Sequence, residues 1–101
     1  MAIKLYFALA QMMANNGIDL TPADVRELMR RWLAGLRPAW GEPAFDPATG
    51  WLMFQLWMRT DDGSPVQITG RVTPPDFYVT DVRSLTENEA AEFAQWEARN
   101  D

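Results

Sequence analysis

One segment near the middle of the chain, residues 51–59, constrains the fold more than any other. Its sequence, WLMFQLWMR, alternates between two sets of side chains, and successive side chains of a β-strand point to opposite faces of the sheet. One set is wholly apolar and consists of Leu52, Phe54, Leu56 and Met58. The other set is mostly apolar and consists of Trp51, Met53, Gln55, Trp57 and Arg59. The pattern predicts a strand inside a sheet that is covered, at least in part, on both faces.

The second of these two faces is a candidate binding surface, because it carries Trp51, Met53 and Trp57. Aromatic side chains and methionine are enriched in the cores of protein interfaces, and a large exposed apolar patch usually marks an interaction site. Three kinds of cover compete for this face: a helix or loop of the same chain, a second copy in a homodimer, or a different protein. We predict that these three residues bind a protein partner.

The chain before this strand is predicted to form an N-terminal αα-hairpin. Over residues 3–16 the polar side chains fall on one narrow stripe, which favours a helix buried on more than one side. Ile3, Leu5 and Phe7 also alternate, so an N-terminal strand is the competing prediction. Gly17 suits the left-handed position that ends a helix, and Thr21 suits the cap of the next one, which then runs toward Pro38.

The rest of the chain predicts an antiparallel sheet followed by one helix. A short edge strand fits at Ala44–Phe45, and further strands fit at residues 66–72 and 77–82. In the last strand, alternation places Val82 on the opposite face from Val79. Thr86 and Glu89 form a capping box for a helix over residues 87–99.

The predicted fold class is therefore α+β. The N-terminal αα-hairpin is followed by a three- to four-stranded antiparallel β-meander and a C-terminal helix. At 101 residues, the whole chain, 1–101, is predicted to be a single globular domain.

The chain has no cysteine and no histidine, and this absence excludes most catalytic and metal chemistry. It rules out disulfides, thiol nucleophiles, Ser-His-Asp triads, and zinc, haem and iron–sulfur sites built on Cys or His. The carboxylates are not spaced as an acid–base pair, and the turn at residues 61–64 lacks the spacing of an EF-hand loop. We therefore predict a protein that is not an enzyme and has no cofactor and no metal.

Arg26, Arg30 and Arg37 form a second candidate surface, because helical spacing places them within a narrow arc of the second helix. Arginine presents a planar fork of donors suited to carboxylate and phosphate, so the stripe fits an acidic partner or nucleic acid, with Arg71 as a further contact. The alternative is a solvated helix face whose charges pair with Glu27 or the acidic C-terminal helix. The net charge of −5 opposes any general attraction to nucleic acid, which makes binding of nucleic acid unlikely.

Taken together, these features predict a small acidic protein-interaction module in the cytoplasm. No apolar run approaches the ~18 residues of a membrane span, and the short apolar N-terminus does not read as a signal peptide. Eight of the nine basic residues are arginine, which is typical of a GC-rich bacterial or phage genome. By analogy of size and composition, the chain fits a phage or bacterial inhibitor of the anti-defence type. The alternatives are a nucleic-acid-contacting protein and a DNA mimic. The predicted partner-binding residues are Arg26, Arg30, Arg37, Trp51, Met53 and Trp57.

Overall fold

The computed structural model describes residues 2–100, which form one five-stranded sheet with helices on both faces. The elements in chain order are β1 (Ile3–Leu5), α1 (Leu9–Asn15), α2 (Pro22–Leu33), β2 (Ala44–Phe45), β3 (Leu52–Arg59), β4 (Pro65–Thr73), β5 (Asp76–Ser84) and α3 (Glu87–Arg99). The strand order is β1-β5-β4-β3-β2. Strands β2 to β5 form an antiparallel meander, and β1 joins its far edge in parallel with β5. The α+β class is confirmed.

The first residues form a strand, so the prediction of a helix over residues 3–16 is wrong for its first part. Ile3 lies opposite Phe77 and Leu5 lies opposite Val79, and the amide of Tyr6 donates to the carbonyl of Val79 at 2.9 Å. Ile3 and Leu5 alternate as residues of this edge strand, and both are half-buried against the core. Only the seven residues of α1 remain helical, so the αα-hairpin is shorter than predicted.

Helix α2 begins as predicted and ends earlier than predicted. Thr21 and Asp24 form a reciprocal capping box at its start. At its end, the amide of Leu36 donates to the carbonyl of Arg31, and Gly35 adopts a φ of 74°. This Schellman motif reverses the chain before Pro38 is reached, because glycine takes the left-handed position without steric cost.

The first face of the sheet packs on α1 and α2 and forms the core. The predicted apolar face of β3 is confirmed at Phe54, Leu56 and Met58, which are buried, while Leu52 is half-buried. Val82 is also buried in this core beside Val79, which corrects the prediction that the two lie on opposite faces. The reason is a bulge between β4 and β5, where two residues of β5 oppose one of β4 and the alternation resets.

Helix α3 lies on the second face of the sheet, and its capping box is confirmed. Phe93 is 1% exposed and packs edge-on against Trp57 of β3 at a centroid distance of 6.4 Å. Trp96 stacks on Trp40, whose backbone pairs with that of Trp57 in an isolated bridge. One helix and one loop of the same chain therefore cover part of this face.

Candidate functional site

The second face of the sheet is divided into a covered half and an open half. The described contacts of α3 reach Trp57, Arg59 and Arg83, at the end of the sheet where β3 finishes. Among residues 2–100, α3 makes no aromatic contact and no ion pair at the opposite end, where Gln55 is exposed. We call this opposite end the open sheet face, and its residues are Trp51, Met53, Gln55, Thr69, Arg71 and Tyr78.

The covered half is held by hydrogen bonds to a buried amide. Gln67 is 7% exposed, and its Oε1 accepts from Nε1 of Trp57 and from Nη2 of Arg83, each at 3.0 Å. Trp57 also packs at right angles to Trp40, with 5.3 Å between the ring centres. Of the three binding residues predicted in segment 51–59, Trp57 thus belongs to the half that the chain covers itself.

Two ion pairs fasten α3 to the sheet. Arg83 of β5 donates to both carboxylate oxygens of Glu89, at 2.8 and 2.9 Å. Through these bonds Arg83 lowers the pKa of Glu89 from its ordinary value to about 2. Arg59 of β3 makes the equivalent two-point contact with Glu97, at 2.7 to 3.0 Å. The helix is therefore fixed in position, and the border between the two halves is well defined.

The open half is centred on Arg71, whose side chain lies between two aromatic rings. Its Cζ atom is 4.7 Å from the ring centre of Trp51 and 5.7 Å from that of Tyr78. The register explains this placement, because Met53 and Tyr78 lie directly opposite Arg71 on the two neighbouring strands. Trp51, the residue immediately before β3, closes the arrangement from the diagonal position.

The guanidinium of Arg71 has no hydrogen bond and no ion pair with any residue from 2 to 100. Its Nε is buried and has no acceptor among those residues. Leaving such a donor unpaired costs about 1 to 3 kcal/mol, so a buried polar group in this state is uncommon in native proteins. Arg71 is therefore a cation that contacts two aromatic rings and has no hydrogen-bond acceptor for its Nε within residues 2–100.

An open groove of about 560 Å³ runs beside this arginine at the end of the sheet. Trp51 and Arg71 line it together with apolar side chains of the first face, namely Leu52 and Val72. Phe45 of β2 forms its outer wall and is 72% exposed, while Trp51 is 52% exposed. The groove thus combines apolar walls with a single cation.

The predicted arginine stripe is not continuous. Arg37 lies beyond the end of α2, which contradicts the placement of all three arginines on one helix. The left-handed Gly35 turns the chain so that Arg37 reaches the strand β3, where its Nη1 donates to the carbonyl of Arg59 at 2.7 Å. Its Nη2 also contacts Asp61 at 2.6 Å.

The other two arginines of the stripe remain on α2, and each has a partner within the chain. Arg26 donates from Nε to the carbonyl of Ile3 at 3.3 Å. Arg30 forms an ion pair with Glu27, one turn away, at 3.3 Å. These contacts favour a structural role for the stripe, and its role in binding stays a prediction.

The sequence pointed to part of the site. Trp51 and Met53 lie on the open sheet face as the alternation of β3 indicated, whereas Phe45 and Tyr78 were not recognised as site residues. Arg71 was considered only as an addition to the stripe. The signal that could have found its partners is the pairing register, which places Tyr78 and Met53 on either side of Arg71.

Comparison with known proteins does not assign a family. Neither the family models, the curated proteins nor the solved structures include a match to this chain. Within residues 2–100, the helices are too short and too polar to cross a membrane. Nor do those residues bring together three side chains of the kinds that bind metal ions. Function is therefore inferred from the open sheet face itself.

Proposed function

We propose that this chain is a small acidic, non-enzymatic interaction module that binds a protein partner through the open sheet face. The observation that carries the proposal is the half-coverage of the second face, which leaves Trp51 52% exposed beside Met53 and Arg71. Trp, Tyr, Met and Arg are the residue types enriched at the centres of protein interfaces, and all four occur here together.

Energetics support binding at this surface. Trp51 on the open sheet face and Phe45 in the adjoining groove leave apolar surface in water, and its burial against a partner contributes roughly 25 cal/mol per Å². The strands beneath are fixed on both sides by ladder hydrogen bonds, so little backbone freedom is lost on binding. A rigid sheet that presents exposed aromatic side chains is well suited to this purpose.

A protein partner fits this surface better than nucleic acid does. Binding to nucleic acid needs several cations along a phosphate backbone. Within residues 2–100, the open sheet face carries one arginine, Arg71, while Lys4, which lies opposite Tyr78 on β1, is paired with Asp76 at 3.1 Å. Arg26, Arg30 and Arg37 are engaged within the chain, and the net charge is −5. The narrower prediction, a phage or bacterial inhibitor of host defence, is one form of this function and rests on size and composition.

The test is an affinity capture with three tagged versions of the chain in extracts of its native cells. Trp51→Ser removes the exposed indole of the open sheet face. Phe7→Ser is the matched control, because Phe7 is 90% exposed and lies in the turn between β1 and α1. We expect one protein to be retained by the wild type and by Phe7→Ser at moderate salt, and to be lost with Trp51→Ser.

Two results would contradict the proposal. Equal retention by all three versions would show that Trp51 is not part of the binding surface. Retention that disappears between low and moderate salt and is abolished by nuclease would indicate nucleic acid instead.

A further inference from the structure

The geometry around Arg71 points to the chemistry of the partner. We propose that the open sheet face recognises an acidic side chain, Asp or Glu, that is flanked in the partner by a large apolar side chain. Arg71 would bind the carboxylate, and the groove beside it would take the apolar neighbour. This inference rests on the proposed function and makes it specific.

Arg71 is positioned in advance for a carboxylate. Its guanidinium lies 4.7 Å from the ring centre of Trp51 and 5.7 Å from that of Tyr78. A guanidinium is planar because its electrons are delocalised, and its N–H donors form a fork that matches the two oxygens of a carboxylate. Because the rings already restrict the side chain, little of its freedom is lost when a partner binds.

The chain itself does not neutralise this charge, although it is rich in carboxylates. Among residues 2–100, five other arginines form ion pairs with carboxylates: Arg30, Arg31, Arg37, Arg59 and Arg83. Within the same part of the chain, Arg26, Arg71 and Arg99 form none, and of these three only Arg71 has a buried side-chain nitrogen, Nε, without an acceptor. In a chain of net charge −5, this contrast indicates a cation whose counter-charge comes from outside.

The groove beside Arg71 indicates which kind of side chain lies next to the carboxylate in the partner. The groove beside it has a volume of about 560 Å³ and is walled by Phe45, Leu52 and Val72. That volume lies within the range of roughly 300 to 1,000 Å³ that is usual for ligand pockets. A large apolar side chain next to the acid would fill this groove while the acid reaches Arg71.

A carboxylate is favoured over the phosphates of a nucleic acid. Phosphates follow one another along a chain, so the neighbours of a bound phosphate would meet the surface next to Arg71. The adjoining groove over β2 and β3 is lined by Glu42 and Asp46, which repel further phosphates. A single acid with apolar neighbours brings only one negative charge to this surface, so it meets less repulsion than a row of phosphates.

The experiment is a selection from a random-peptide phage library against the immobilised chain. Three versions are compared: wild type, Arg71→Gln, and Arg99→Gln as the matched control. Arg99 is exposed in the last turn of α3, so both substitutions remove one positive charge and only one affects the site. We expect the wild type and Arg99→Gln to select peptides with an Asp or Glu next to a large apolar residue.

The selected peptide is then synthesised and its affinity measured. We expect Arg71→Gln to weaken binding about tenfold or more, as does replacement of the acid in the peptide by its amide. The two changes combined should weaken binding hardly more than either alone, because they remove the same interaction. Arg71→Lys keeps the charge but loses the fork, and it provides the same comparison if Arg71→Gln fails to fold by circular dichroism.

Three outcomes would overturn the inference. Peptides without an acid, or equal affinity for Arg71→Gln, would remove the role of the carboxylate; if Trp51→Ser still abolished binding, the proposed function would stand. A single-stranded oligonucleotide that binds the wild type and not Arg71→Gln would assign the site to phosphate. Failure to select any peptide would also overturn it, and the capture experiment would then judge the proposed function alone.

Discussion

Trp51 and Arg71 are diagonal neighbours across the β3–β4 pair, and Cζ of Arg71 lies 4.7 Å from the ring centre of Trp51. Neither belongs to the buried core, and both lie on the half of the sheet that α3 leaves open. Arrangements of this kind contribute about 0.5 to 1 kcal/mol at exposed sites, which orders two side chains but does little for the fold as a whole. The small size of this contribution is consistent with our proposal that the pair serves recognition.

The ion pair between Arg83 and Glu89 makes stability depend on pH. The pKa of Glu89 in the folded chain is about 2, below its ordinary value of 4.5. The contribution of ionised Glu89 to the free energy of unfolding is therefore complete above about pH 5 and is lost as the pH falls toward 2. We expect Glu89→Gln to lower the melting temperature at neutral pH, and the difference from wild type to shrink between about pH 5 and pH 2. Thermal denaturation followed by circular dichroism across this pH range measures the melting temperatures of the two proteins.

The control for this prediction is Glu92→Gln, because Glu92 is an exposed carboxylate on the same helix. Its melting curve should follow that of the wild type at every pH. If the melting temperature of Glu89→Gln stayed below that of the wild type by the same amount down to pH 2, the substitution would act through something other than the charge of Glu89.

Gly70 fixes the strand that carries the site. A Cβ atom added at this position would collide with the backbone carbonyl of Tyr78 and with the ring of Phe54. We expect Gly70→Ala to reduce the free energy of unfolding by about 3 kcal/mol, because both neighbours belong to the packed sheet. Denaturation in urea measures this loss.

Gly17→Ala provides the comparison for that variant. Gly17 has a φ of 71° and open space around it, so an alanine there meets only backbone strain of about 1 to 2 kcal/mol. If the two variants lost equal stability, the close contact at Gly70 would not be the cause.

The solution mass tests whether a second copy covers the open sheet face. The proposal of a different protein as partner predicts a monomer of 11.5 kDa by light scattering at moderate salt. A wild-type dimer that became a folded monomer in Trp51→Ser would instead assign the surface to self-association. Phe7→Ser, which removes an exposed ring outside the open sheet face, should leave the mass unchanged.

The elements that depend on local chemistry could be predicted from the sequence. Thr21 caps the start of α2 as predicted, and the predicted capping box at Thr86 forms at the start of α3. The two faces of β3 also follow from its alternation, because Phe54 is buried while Trp51 is half-exposed. In each case the signal lies within a few residues of the feature that it determines.

The features that depend on distant pairing could not be predicted in the same way. Ile3 and Leu5 form a strand because β5, more than 70 residues away, offers an edge to pair with. Val82 faces the core because the bulge resets the alternation of β5. The coupling of Trp51 to Arg71 likewise requires the register between β3 and β4, which a single sequence does not reveal.

The most direct test of the open sheet face is site-specific photo-crosslinking in the native cells. A photoreactive amino acid replaces Met53, on this face, or Ala98, an exposed position of α3, in otherwise identical chains. We predict that the chain labelled at position 53 crosslinks to one defined protein and that the chain labelled at position 98 does not. Crosslinking to the same protein from position 98 alone, or equally from both, would contradict the assignment of the partner to this face.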